Sequence, residues 1–183
     1  MRALCVILLV ACIGCTGHAF TYRGIHHGQL CEQARTAELA QGSTYLREEV
    51  PSGAEPGYKQ YLFNGNLYGS SVEVRLGCLT VEGSQQYMYD AFYVLRSLQA
   101  APSEAFMQRI AGQLKPTYGA PTESPLEWRK PDGTSMTVGR RATFGCVNED
   151  STGYLLNASL NYPAAKQTDY EVWLYIRFGG GVC

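Results

Sequence analysis

Histidine is nearly missing from this 183-residue chain: there are three, and His18 falls in a leader expected to be removed. His26 and His27, adjacent in sequence, are then the only imidazole bases, a poor basis for a Ser-His or Cys-His pair. No Gly-x-Ser-x-Gly elbow occurs, which excludes the nucleophile turn of the α/β-hydrolases. Residues 20–183 hold no Cys-x-x-Cys. The run Gly179-Gly180-Gly181 precedes no helix and so is no phosphate loop.

Charge is sparse as well. Asp, Glu, Lys and Arg make up 17% of the chain, 15 basic residues stand against 16 acidic ones, and no run of Lys or Arg exceeds two residues. A nucleic-acid or anionic-membrane role is excluded on this balance. No cofactor motif is present. No metal site is expected either, since His26, His27 and Cys31 fall short of the four ligands of structural zinc and Cys31 is expected to be oxidised.

What is present begins with a secretion signal. Met1 and Arg2 form a short positive region, Ala3 to Ile13 is apolar, and Gly17-His18-Ala19 offers small residues at a cleavage site. The apolar run is shorter than the roughly 18 residues of a spanning helix. We expect a signal peptide over residues 1–19 and one domain over 20–183, placed in the periplasm or secreted. Leu9-Val10-Ala11-Cys12 resembles a lipobox, and Ile13-Gly14-Cys15 is a poorer copy, so lipidation at Cys12 or Cys15 is the alternative. It would make the protein a membrane-anchored lipoprotein.

Of seven cysteines, cleavage after Ala19 leaves Cys31, Cys78, Cys146 and Cys183. An even set in an oxidising compartment reads as disulfides. Pairing the last two strands as a hairpin puts Phe178 beside Tyr154, so the glycine tail delivers Cys183 near Cys146. Cys31 is left to pair with Cys78.

Gly28 to Gly42 reads as a helix with a thin stripe of Leu30, Ala34, Ala37 and Gln41. Tyr58 to Phe63 reads as a strand entering an Asn64-Gly65 turn. Val72, Val74, Leu76 and Cys78 alternate with Glu73 and Arg75, a half-buried strand whose cysteine points inward. The stretch QQYMYDAFYVLRSL reads as a strand. Ser103 to Lys115 is the strongest helix, with Ser103 as cap, Phe106, Ile110 and Leu114 as stripe, and Pro116 as stop.

Strands follow at Leu126 to Lys130 and Ser135 to Gly139 around the Pro131-Asp132-Gly133 turn, then at Ala142 to Val147, Tyr154 to Tyr162 and Tyr170 to Phe178. The expected fold class is α+β: an antiparallel meander with two helices packed on one face, disulfide-stapled. Its helix, strands, helix, strands order hints at two related halves.

Gly24-Ile25-His26-His27-Gly28, Tyr118-Gly119-Ala120-Pro121 and the strand bearing Trp128 together resemble a group of small secreted or lipoprotein-like bacterial envelope proteins. They share a Gly-Ile-x-x-Gly helix entry and a helix ending in Tyr-Gly-x-Pro. The resemblance implies a bacterial envelope setting and no catalytic residues. In that setting the Asn157-Ala158-Ser159 glycosylation pattern is chance.

In the last strand the aliphatic residues share one side, which puts Trp173 and Tyr175 on the other, between Glu171 and Arg177. Tyr87, Tyr89 and Tyr93 form a second row. Aromatics beside arginine are the composition of an interface hot spot. The expected function is therefore a non-enzymatic binding module, of inhibitor or immunity type, that engages a protein partner through an aromatic sheet face. The alternatives are a lipid-anchored protein with a structural or assembly role, which alone would bring a membrane contact, and an enzyme built on converging carboxylates.

Overall fold

Strict alternation of Val72, Val74, Leu76 and Cys78 with polar residues produces a strand buried on one side, and the rest of the fold is organised about it. The computed structural model describes residues 20–81, 83, 85–147, 154–163 and 168–178. A short hairpin, β1 (Thr21–Tyr22) and β2 (Ile25–His26), leads into helix α1 (Cys31–Ala40). Four strands follow: β3 (Thr44–Glu49), β4 (Tyr58–Leu67), β5 (Ser70–Thr80) and β6 (Gln86–Ser97). Helix α2 (Ala100–Tyr118) then precedes β7 (Thr122–Arg129), β8 (Ser135–Val147), β9 (Tyr154–Asn161) and β10 (Tyr170–Phe178).

β3 to β10 form one eight-stranded antiparallel sheet in the order β3-β4-β5-β6-β10-β9-β8-β7, beside the two-stranded β1-β2 sheet. The α+β class is therefore present, as a mostly antiparallel structure with two helices. Each helix is followed by four strands in meander. The two meanders meet where β6 pairs with β10, so the strand order of the second half mirrors that of the first.

One buried cluster unites Cys31 and Ala34 of α1, Phe106, Met107, Ile110 and Leu114 of α2, and alternate residues of β5, β9 and β10 from Val72 to Phe178. α1 packs on β5 and β6, and α2 on β6, β8, β9 and β10. Cys31 and Cys78 are joined across this core, their Cα atoms 6.1 Å apart. Phe178 lies opposite Tyr154, as the hairpin argument requires. Cys183 and the side chain of Cys146 lie outside the described residues, as do residues 1–19 with Cys12 and Cys15.

Several local expectations are corrected. β4 runs through Asn64-Gly65, and the chain reverses at Tyr68-Gly69, both at positive φ, between the paired Leu67 and Ser70. Two successive positive φ values match the twist of a tight hairpin. Gly65 serves close packing instead, because a Cβ there would come within 2.5 Å of Ser43 Oγ.

α1 begins at Cys31 rather than Gly28, and its buried residues are Cys31, Ala34 and Glu38, so a carboxylate takes part in the packed face. α2 starts after Gln99, with Ser103 buried inside it and its hydroxyl donating to the Gln99 carbonyl. It runs through Pro116 for two more residues, because the proline sits in the final turn where little helix is left to break. Ser135 to Val147 is one strand, not two.

Candidate functional site

The helices cover one face of the sheet, and the alternate residues define the other. On that open face Glu73, Val94, Trp173, Ser159 and Arg141 lie in one cross-strand row, and Arg75, Phe92, Tyr175, Asn157 and Thr143 in the next. A third row carries Gln60, Gly77, Asp90 and Arg177. Opposite residues on neighbouring strands touch because their Cβ atoms stand about 5 Å apart.

Phe92 is the centre of the patch. Tyr175 stacks on it at 4.7 Å between ring centroids, and Trp173 meets it edge-on at 5.6 Å. Arg75 stands 5.7 Å over the Trp173 ring, and the indole Nε1 donates to Glu171 at 2.8 Å. Arg96 bridges Glu171 and Glu73, while Arg75 donates to Glu73 at 2.6 Å. The rings are half-buried, held upright by each other and by this ionic frame. They are thus ordered by contacts within the chain.

A cleft of about 320 Å³ opens beside the patch, between the loop at Pro51 to Glu55 and the side chains of Tyr58, Gln60, Tyr89 and Asp90. The Tyr58 hydroxyl donates to Asp90 at 2.9 Å and accepts from Gln60 Nε2 at 2.9 Å. Gly77 makes room for this chain of bonds, since a Cβ there would come within 1.9 Å of Asp90 and 2.4 Å of the Tyr58 hydroxyl. Arg177 contacts the Tyr89 hydroxyl and lies 4.6 Å from its ring centroid.

Burial pushes the Asp90 carboxyl up to about 6, against the opposing pull of Tyr58 and Arg177 and with a small push from Glu55. Burial likewise raises the Tyr58 phenol, and it pushes Tyr175 up to about 12.

Asp90 gives the fold a pH dependence of known sign. An unfolded aspartate titrates at about 3.9, so between about 4 and 6 the folded chain holds a proton that the unfolded chain releases. This contribution is fully present below about 4 and is lost as pH rises through about 6. Asp90→Asn keeps an acceptor for Tyr58 and carries no charge to bury. It should match the parent at pH 3.5 and exceed it at pH 8 by about 2 kcal/mol in urea unfolding. Equal stability at both pH values would remove the argument.

The residues named from sequence are only partly brought together. Trp173, Tyr175 and Arg177 share the open face, and Tyr89 joins them through Arg177. Tyr87 lies beyond the β10 pairing, bridged to Leu30 at the start of α1, with its hydroxyl donating to Gln85. Tyr93 is fully buried on the helix side. The reason is a register shift: Gly77 pairs with Asp90 but Cys78 with Met88, leaving Tyr89 as an extra residue. Beyond that bulge the alternation inverts, so Phe92 takes the open-face position and Tyr93 turns inward.

Phe92, Arg75, Tyr58, Gln60 and Asp90 were not singled out from sequence. The glycine inside the β5 pattern, Gly77, is the signal that would have exposed the bulge. His26, the last residue of β2, turns its Nδ1 to the His27 carbonyl at 2.9 Å. Among the described residues no three His, Cys, Asp or Glu side chains converge as metal ligands, and no helix is long and apolar enough to cross a membrane. Compared with known proteins, the chain matches no family model, no curated protein and no solved structure.

Proposed function

We propose that the protein is a secreted or periplasmic binding module without catalysis, of inhibitor or immunity type, which engages a protein partner through the open face of its sheet. The supporting observation is the patch of Phe92, Trp173, Tyr175 and Tyr89, fixed by ring contacts and framed by Arg75, Arg96 and Arg177. Aromatic and arginine anchors on a rigid scaffold are the composition and geometry of an interface centre. Of the alternatives, the carboxylate enzyme gains one observation, Asp90 and Glu55 lining a single cleft. It would require turnover of a substrate that Asp90→Asn abolishes.

The test places a photo-crosslinking residue at Tyr175, and separately at Leu39 on the exposed side of α1, in the full chain within its own cell envelope. One protein should be captured from position 175 and none from position 39. The purified pair should form a stoichiometric complex. Trp173→Ala should weaken that complex by about 2 kcal/mol or more, as expected of a hot spot. The same substitution should cost only about 1–2 kcal/mol of stability, because the indole is half-buried and loses chiefly its ring pair and partial burial. Capture from both positions, or a complex indifferent to Trp173→Ala, would refute the face.

A further inference from the structure

The cleft at the edge of the aromatic patch has features that the patch does not use. Gln60 is 6% exposed, and its Oε1 has no hydrogen-bond partner among the described residues. A buried acceptor left this way is stabilised by positive charge or a further donor brought close to it. Its neighbours select the kind of donor. Asp90, 5% exposed, and Glu55 supply two carboxylates to the lining, and the rings of Tyr58 and Tyr89 supply aromatic walls. The adjacent cation, Arg177, contacts Tyr89 and acts on Asp90 through space, and Lys59 on the same strand as Gln60 is paired with Glu48.

The mouth is built of successive turns, with Ala54 N–H donating to Pro51 and Tyr58 N–H to Glu55, both at 3.1 Å. The volume is at the small end of ligand pockets and suits one side chain better than a whole metabolite.

We infer that this cleft receives a protonated amine or guanidinium head, carried as a lysine or arginine side chain of the partner that docks on the aromatic face. The cation pairs with Asp90, near the buried amide oxygen of Gln60, and its flat or methylene part lies against Tyr58 and Tyr89. Carboxylate, amide acceptor and aromatic walls together are the recognition set for such a group. The inference rests on the proposed binding function for the source of the side chain, but not for the chemistry of the cleft.

The experiment separates the two. Methylguanidinium, methylammonium and the neutral isostere methylurea are titrated into the full chain, and the Gln60 side-chain amide and the Tyr58 and Tyr89 rings are followed by NMR. The cations should give saturable shifts confined to these groups, with dissociation constants on the order of millimolar, and methylurea should give none. Asp90→Asn, which is expected to fold, should weaken cation binding roughly tenfold or more, as loss of a charge-assisted bond does. Glu55→Gln on the exposed loop is the second variant, expected to weaken it less.

Absence of saturable shifts, equal response to methylurea, or indifference to both variants overturns the cleft. With the crosslinked partner in hand, methylguanidinium should compete with the complex and Asp90→Asn should weaken it. A cation that binds without touching the complex would overturn the partner side chain as its source and point to a free amine. If no partner is captured while the cation binds, the face reading fails alone.

Discussion

Replacing Cys31 and Cys78 together by alanine is expected to lower the unfolding free energy by about 4 kcal/mol, the chain-entropy value for a cross-link spanning this much sequence. The bond closes 47 residues, from the first residue of α1 to the ninth residue of β5. Its effect is not spread evenly. α1 is ten residues long and contributes only Cys31 and Ala34 as buried apolar side chains, too little to hold it on the sheet by apolar burial alone. Urea unfolding under non-reducing conditions gives the total. Hydrogen exchange should show the amides of α1 opening first in the variant, with those of β9 and β10 protected as before. A loss under about 1 kcal/mol would mean that the bond adds little to what the core already fixes.

A second large loss is expected from Arg23→Ala. Glu38 projects from α1 into the core and is fully buried, accepting from Ser43 Oγ at 2.6 Å, Tyr93 Oη at 3.1 Å and Arg23 Nη2 at 3.4 Å. Arg23 also lies 5.4 Å from the Tyr93 ring centroid, so helix, sheet and the β1-β2 hairpin converge on one carboxylate. Removing the cation leaves a buried charge with two neutral donors.

Breaking a buried pair from one side costs about 3–5 kcal/mol; the lower end applies here because the Arg23 side chain keeps 17% of its exposure. The double variant Arg23→Ala with Glu38→Gln should recover most of the loss, since a neutral amide still accepts from Tyr93. Single losses that merely add, with no recovery, would show that Arg23 acts through packing and its turn rather than through the charge.

Glu38 and Tyr93 also mark where sequence patterns stop being informative. A period-2 pattern is a property of one strand, and it placed the inward residues of β5, β9 and β10 as the structure has them. The facing of Tyr93 depends on the pairing between β5 and β6, where one extra residue at Tyr89 reverses every side chain beyond it. Glu38 reads as a helical surface residue because its donors lie five, fifteen and fifty-five residues away.

The sequence by itself determined the α+β class, the Cys31 to Cys78 pairing and the shared side of Trp173 and Tyr175. The class and the shared side depend on local alternation, and the pairing on elimination once the last hairpin is taken to bring Cys183 to Cys146. The tertiary structure alone decided that Phe92 rather than Tyr93 completes the aromatic patch, that β4 runs past Asn64-Gly65, and that Asp90, Gln60 and the Pro51 loop line one open cleft. Each of these follows from register and close approach between distant segments, and no pattern within a single strand records them.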